Sequence, residues 1–345
     1  MRYRLFGQTG LRVSELCLGT MTFGHSDWGS GEEEARSIYA AFRDAGGNFL
    51  DTANEVYAEG RSEEIVGRLV AGHRDEMVIA TKFGFQMPGG RNVNAAGNHR
   101  KSLIRSVDAS LKRMGTDYID ILWLHCWDET TPQEEVLRAL DDLVAQGKIL
   151  HIGASNFPAW VVASANTLAA QRGWTGYSGL QLEYNLLERA IEREHLPMAK
   201  AGGITVCAWS PLAGGILSGK YNRSEETGNR RAGNGPVAAA NEHNAAVALE
   251  LYKIAHEIGA TAVTVALNWL RDKAYVIPVL GARTLAQFTE QLRCLEFSLD
   301  PEQMARLDAL SPLQRGYPYD FISKLRAFHS AGFQDLIDNP AYDEG

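Results

Sequence analysis

The chain has 345 residues, 45% of them hydrophobic, and a formal net charge of -8 at pH 7. That apolar content supports a large buried core, and the acidic balance argues against nucleic acid or an anionic membrane as a partner. No apolar run approaches the roughly 18 residues a membrane helix needs, and Arg2, Arg4, Arg12 and Glu15 interrupt the N-terminus, so it does not read as a signal peptide.

In chain order, Tyr3–Gly7 and Leu11–Ser14 around Gln8-Thr9-Gly10 predict a β-hairpin with a short glycine turn. Eight strand-then-helix units follow. The apolar runs predict strands over Leu16–Gly19, Asn48–Asp51, Met77–Thr81, Ile119–His125, Ile149–Ser155, Leu180–Tyr184, Ile204–Trp209 and Val276–Gly281. Helical spacing runs from Glu32 to Ala45, with acidic residues in the first turn and Gly46-Gly47 past the end. It recurs from His99 to Met114, stopping at Gly115, and from Pro132 to near Gly147, with Thr131 as the expected N-cap. Before the eighth strand the helix is split into Glu242–His256 and Thr261–Leu270. Helices over Thr284–Leu295 and Pro301–Leu310 and an aromatic tail complete the chain. Two insertions, Gly84–Asn98 and Ala213–Asn241, follow strands on the side where function-bearing loops lie. Eight such units predict an α/β fold, a (β/α)8 TIM barrel with an N-terminal β-hairpin and extra helices, formed by residues 1–345 as one domain. Cys17, Cys126, Cys207 and Cys294 form no Cys-x-x-Cys pair, which fits a reducing, cytoplasmic setting.

Ionisable residues mark three successive strand ends: Asp51, Lys82 and His125, with Tyr57 in the loop after Asp51. In a closed barrel all strand C-termini open onto one face, so these four converge. A phenol with a pKa near 10 is a poor acid at neutral pH, and a neighbouring ammonium favours its ionised form. Asp51 would hold Lys82 by a charge-assisted hydrogen bond, and His125 would orient a carbonyl or relay a proton. Taken singly, each signal is weak, since an Asp at a strand end is as often a helix cap and a lone His more often a satisfied polar residue. Four at consecutive strand ends are harder to explain as structure. A shared metal on His125, Cys126 and Asp128 is disfavoured, because adjacent strand residues point to opposite faces. Gly233–Ala238 fits a Gly-x-Gly-x-x-Ala pattern, but no strand precedes it.

At Asn48–Tyr57 with Gly60-Arg61-Ser62-Glu63, at Ala80–Gly84 and at Asp117–His125, the chain resembles the aldo-keto reductase family. The likeness covers nearly its whole length. It is strongest to the longer bacterial members, related to potassium-channel β subunits, through Ser210–Gly215 and Leu217–Tyr221. The resemblance implies a catalytic tetrad of Asp51, Tyr57, Lys82 and His125 and NADPH as cofactor. It further implies that Ser155, Asn156 and Gln181 bind the nicotinamide carboxamide. Trp209 would stack on the ring, with Ser210 and Leu212 beside it, and Gly214, Leu217 and Lys220 would cover the pyrophosphate. A glycine and an arginine before a helix N-terminus make an anion site, and by resemblance Gly281 and Arg283 hold the 2′-phosphate while Gln287 and Gln291 approach adenosine. Many members have Asn where Gln291 stands.

The activity implied is reduction of aldehydes or ketones to alcohols, with hydride from NADPH and a proton from Tyr57. The rival reading is a pyridine-nucleotide-binding sensor or regulatory subunit with little turnover. The expected partner is a small carbonyl compound, lined by Met21, Trp28, Tyr57, Phe85, Trp127 and the two insertions. The tail, with Tyr317, Tyr319, Phe321, Phe328 and Phe333, is a candidate for closing the mouth or for a contact in a homo-oligomer.

Overall fold

The structure is a computed structural model that describes residues 1–87, 92–218, 242–333 and 336. Lys220, the Gly233–Ala238 pattern, most of the Ala213–Asn241 insertion and residues 88–91 of the other insertion lie outside the described residues.

Ten strands are described. β1 (Tyr3–Leu5) and β2 (Arg12–Ser14) form the antiparallel hairpin. The remaining eight are β3 (Cys17–Gly19), β4 (Phe49–Asp51), β5 (Val78–Phe83), β6 (Ile119–Leu124), β7 (Ile149–Ser155), β8 (Gly179–Glu183), β9 (Thr205–Trp209) and β10 (Val276–Leu280). They close into a parallel barrel in chain order, with β10 returning to β3. Around it lie α1 (Glu32–Asp44), α2 (Arg61–Val70), α3 (Arg100–Met114), α4 (Gln133–Ala145), α5 (Ala159–Arg172), α6 (His195–Gly202), α7 (Glu242–Glu257), α8 (Ala262–Asp272), α9 (Leu285–Leu292) and α10 (Pro301–Leu310).

Period-two alternation divides each strand between two cores. The outward set, including Leu18, Leu50, Ile79, Leu122 and Ile152, packs against the helices. The inward set, including Cys17, Phe49, Ala80, Trp123, Cys207 and Ile277, fills the barrel together with Phe6 and Val13 of the hairpin region. Phe6 is fully buried and meets Phe49 and Trp123 edge-on at 6.2 and 5.9 Å. The hairpin is fastened to the N-terminal ends of the strands: Gly7 N–H donates to Thr205 Oγ1 at 2.7 Å, and Arg4 donates to the Val276 and Arg271 carbonyls. This end is therefore sealed, and chemistry is confined to the other. Room for Trp123 comes from Gly153 and Gly179, where an added Cβ would run into its ring and, at Gly179, into Phe6.

Three local expectations need correction. β5 runs on to Phe83, so Lys82 is a strand residue rather than one following it. The N-cap of α4 is Pro132, without a side-chain cap, because the Thr131 hydroxyl donates to Asp128 Oδ2 at 2.6 Å instead. The helix expected over Thr284–Leu295 is α-helical only to Leu292 and tightens to a 3₁₀ turn at Arg293–Leu295.

Residues Met1–Ser311 form one compact unit and Pro312–Gly345 a second. The described part of the second holds α11 (Tyr319–Lys324) and α12 (Arg326–His329), with Tyr317, Phe321, Phe328 and Phe333 exposed. Among the described residues no helix is long and apolar enough to cross a membrane.

Candidate active site

The four strand-end residues do converge. Lys82 donates from Nζ to Asp51 Oδ2 and, at 2.8 Å, to the Thr52 carbonyl. Both partners are sealed from solvent, at 1% and 2% exposure, so neither charge has water as an alternative. Burial works against the Lys82 ammonium, but Asp51 and then Tyr57 outweigh it and raise the amine's pKa. The ammonium lies 5.0 Å from the centre of the Tyr57 ring, and that ring meets His125 edge-on at 6.2 Å. Burial, and then the Lys82 charge, push the His125 imidazole down to about 3, so it is neutral at physiological pH. Its Nδ1 is buried without a partner, and the Phe85 ring lies tilted against it, with centres 4.4 Å apart.

Backbone strain concentrates here. Ala58 and Glu59, directly after Tyr57, have φ of 51° and 59°, and Asn156 and Ser210, just past β7 and β9, have 55° and 54°. Residues other than glycine hold such angles only where the surroundings enforce them, commonly at functional sites.

The expected carboxamide residues are joined to the same centre. Ser155 ends β7 and is buried. Asn156 donates from Nδ2 to the His125 carbonyl at 2.9 Å and to Ser155 Oγ at 3.1 Å, and accepts from Trp209 Nε1 at 3.0 Å. Gln181 crosses the barrel and donates from Nε2 to Asp51 Oδ1 at 2.8 Å. That bond fixes which end of the Gln181 amide faces Asp51 and leaves Oε1 as an acceptor. Ser210 Oγ accepts from the Gly214 N–H at 3.3 Å, its own carbonyl accepts from Asn185, and Leu212 is half-buried on the same loop.

The β10–α9 segment is different in kind. Gly281 and Arg283 are exposed. Thr284 caps α9, and Gln287 Oε1 accepts from the Arg283 N–H at 3.0 Å. Gln291 is buried and donates to the Gly281 carbonyl at 2.8 Å, with its Oε1 unpartnered. The Leu285 N–H at the helix start already donates to Glu34, so that amide is not free to receive an anion.

Of the expected substrate-lining residues, Met21, Trp28 and Trp127 are half-buried and Phe85 is 43% exposed. Several site residues escaped the sequence reading. Asn54 holds the Phe85 carbonyl at 3.1 Å, and Asn98 donates to the Cys126 carbonyl, tying down both ends of the Gly84–Asn98 insertion. Glu63, fully buried on α2, accepts from Thr81 and Arg113 behind the tetrad. Asn54 and Glu63 lie within the stretches that carry the family resemblance, but only the fold shows what they hold. Among the described residues no His, Cys, Asp and Glu group could hold a metal.

A closed parallel barrel with an ionisable cluster at its C-terminal mouth has the architecture of a barrel enzyme. The family model for the aldo/keto reductase family matches residues 15–312, nearly all of the first unit. The chain belongs to the aldo/keto reductase family and is an oxidoreductase acting on carbonyls and alcohols, a family that uses NAD(P)H. It is 38% identical to the aldo-keto reductase ausK of Aspergillus calidoustus, covering 93% of this chain and 85% of the relative. It is also 38% identical to the norsolorinic acid reductase stcV of Emericella nidulans, over 91% of this chain and 82% of the relative. A third relative, the NADP(+) aryl-alcohol dehydrogenase of Phanerodontia chrysosporium, is 38% identical over 90% of this chain and 86% of its own length.

Proposed function

We propose that the enzyme reduces aromatic or other apolar aldehydes and ketones with NADPH, and that Tyr57 is the proton donor. The observation that carries this is the placement of the Tyr57 ring between a buried, Asp51-held ammonium and a neutral imidazole.

The residues present fit a nicotinamide nucleotide. Ser155 Oγ, the Asn156 amide and Gln181 Oε1 stand at neighbouring strand ends with the mixed donors and acceptors that a carboxamide needs. Trp209 offers a flat face, Gly214 a close backbone approach, and Gly281, Arg283, Gln287 and Gln291 suit the adenosine 2′-phosphate end. When bound, NADPH supplies a hydride to the carbonyl carbon. The Tyr57 hydroxyl binds the carbonyl oxygen and passes it a proton as negative charge develops there. Lys82 stabilises the phenolate left behind, and Asp51 keeps Lys82 oriented and charged. His125 is neutral, so it orients the oxygen without adding a second cation. Proton relay through an imidazolium is not its role.

The aryl preference rests on the tilted Phe85–His125 pair and on the tilted His25–Trp28 pair, the latter with ring centres 4.1 Å apart. Those faces suit planar substrates. The aryl-alcohol dehydrogenase relative is consistent with this. The test is Tyr57→Phe with NADPH binding and benzaldehyde turnover measured separately. We expect turnover to fall by about 10²-fold or more, the usual contribution of a positioned acid, with NADPH affinity within a factor of two. Undiminished turnover removes Tyr57 from the reaction.

A further inference from the structure

Glu183 is a carboxyl group at the mouth to which the tetrad mechanism gives no task. Its direction follows from the strand that carries it. On β8, a Cβ on Gly179 would meet Phe6 and Trp123 in the barrel interior, and Gln181 reaches inward to Asp51. Glu183, two residues on, shares that inward face one step nearer the opening. In the sheet register it lies beside Trp209 of β9, so the two side chains stand on the same face of adjacent strands, roughly 5 Å apart at the backbone. It is half-buried and, among the described residues, its side chain makes no hydrogen bond or ion pair. Among the described residues the one charged group acting on it is Glu188, a like charge in the loop after β8, and none of them supplies a compensating cation.

A carboxyl beside the aromatic platform with no cation among its described neighbours costs stability when ionised, unless a positive charge arrives. Burial, and then Glu188, accordingly push Glu183 up to about 7. A nicotinamide ring is neutral when reduced and carries one positive charge once its hydride has left. We propose that Glu183 is the group that distinguishes oxidised from reduced cofactor in this enzyme, its carboxylate favouring the cationic ring held against Trp209. This rests on the reading that the nicotinamide lies at Trp209. By linkage, binding of NADP(+) draws a proton off Glu183 and binding of NADPH does not. Across neutral pH the enzyme therefore shifts from holding the two forms with similar strength to favouring the oxidised one. The 2′-phosphate, with its own ionisation near 6, is common to both nucleotides and cancels in their ratio.

The test is isothermal titration calorimetry of NADP(+) and NADPH at pH 6 and pH 8, in two buffers of different ionisation enthalpy. For the wild type we expect the affinity ratio to move about tenfold toward NADP(+) between the two pH values, with proton release confined to NADP(+) near pH 7. Glu183→Gln should hold the ratio at its pH 6 value throughout and abolish that release. Glu183→Asp, which keeps the charge, should restore both. Glu188→Gln should move the midpoint of the shift to lower pH, because it removes a like charge. An equal shift in Glu183→Gln and wild type, or no shift in the wild type, overturns the proposal while leaving the cofactor site intact. A different failure marks the underlying reading: if Trp209→Ala leaves both affinities unchanged, the ring does not lie there and the proposal falls with it.

Discussion

The two ends of the proposed nucleotide site are built differently. At the reacting end, Asp51 holds both Lys82 and Gln181, Asn156 links His125, Ser155 and Trp209, and the charged pair is sealed from water. At the phosphate end, Arg283 and Gly281 stand exposed beside α9, braced mainly through backbone contacts to Gln287 and Gln291. Interactions sealed from water are strong and intolerant of change, and exposed ones are weak and adjustable. On the proposed reading, the reacting end would therefore fix which reaction occurs, and the phosphate end would tune which nucleotide is used.

That contrast is broken most severely at Asp51. Asp51→Ala strips Lys82 of its counter-ion and Gln181 of its acceptor inside the barrel, and loss of one partner of a buried pair costs about 3–5 kcal/mol. We expect urea denaturation to show that loss, together with near-abolished turnover. The double variant Asp51→Leu/Lys82→Met should regain most of the stability and none of the activity. A loss below about 1 kcal/mol for Asp51→Ala would mean that the pair is not sealed as described. Next comes Gly153→Ala. The added methyl meets the Trp123 ring, and overpacking of this kind costs about 1–3 kcal/mol. The melting temperature should fall while the affinity for NADPH changes little, because the Trp123 ring packs against Gly179 and Phe6 in the barrel interior.

The same contrast governs what could be read from sequence. The eight apolar runs and the Asp51, Lys82 and His125 positions were legible because strand periodicity and strand-end placement are local patterns. Sealing of the Asp51–Lys82 pair was not legible, since it depends on Gln181, 130 residues away. Nor was the role of Thr131, whose hydroxyl has two competing partners, a helix start and Asp128, of which only the fold selects one. Glu183 carried a signal, its spacing of two from Gln181, but that spacing means nothing until the inward face of β8 is known. At the phosphate end the Gly281–Thr284 motif was plain, whereas the claim of Glu34 on the helix start comes from α1, 251 residues away in the chain.

His125 sharpens the comparison through pH. Its imidazole is depressed to about 3, against about 6.5 in the unfolded chain. The unfolded state therefore binds the extra proton first as pH falls. Stability from this group is complete above about 6.5 and is lost progressively from there toward 3. An NMR titration should show the His125 ring resonances unmoved between pH 8 and 5. An inflection near 6.5 would mean that the ring is wet and free to ionise, and that Phe85 and Lys82 do not control it.

The smallest effects are expected at the phosphate end. An exposed ion pair contributes at most about 1 kcal/mol, or roughly fivefold in affinity. Arg283→Ala should therefore weaken NADPH binding by about that factor and leave NADH unchanged. Glu34 acts in the opposite sense. It occupies the Leu285 N–H at the start of α9, where a phosphate would otherwise bind, and its charge opposes a second anion. Glu34→Gln should strengthen NADPH binding a few-fold, again without effect on NADH. Equal changes for both nucleotides would place the 2′-phosphate away from this corner and leave the preference for NADPH to other residues. Opposite changes for the two variants, confined to NADPH, would identify this segment as a tuner set by two opposed charges, in contrast to the sealed pair at the reacting end.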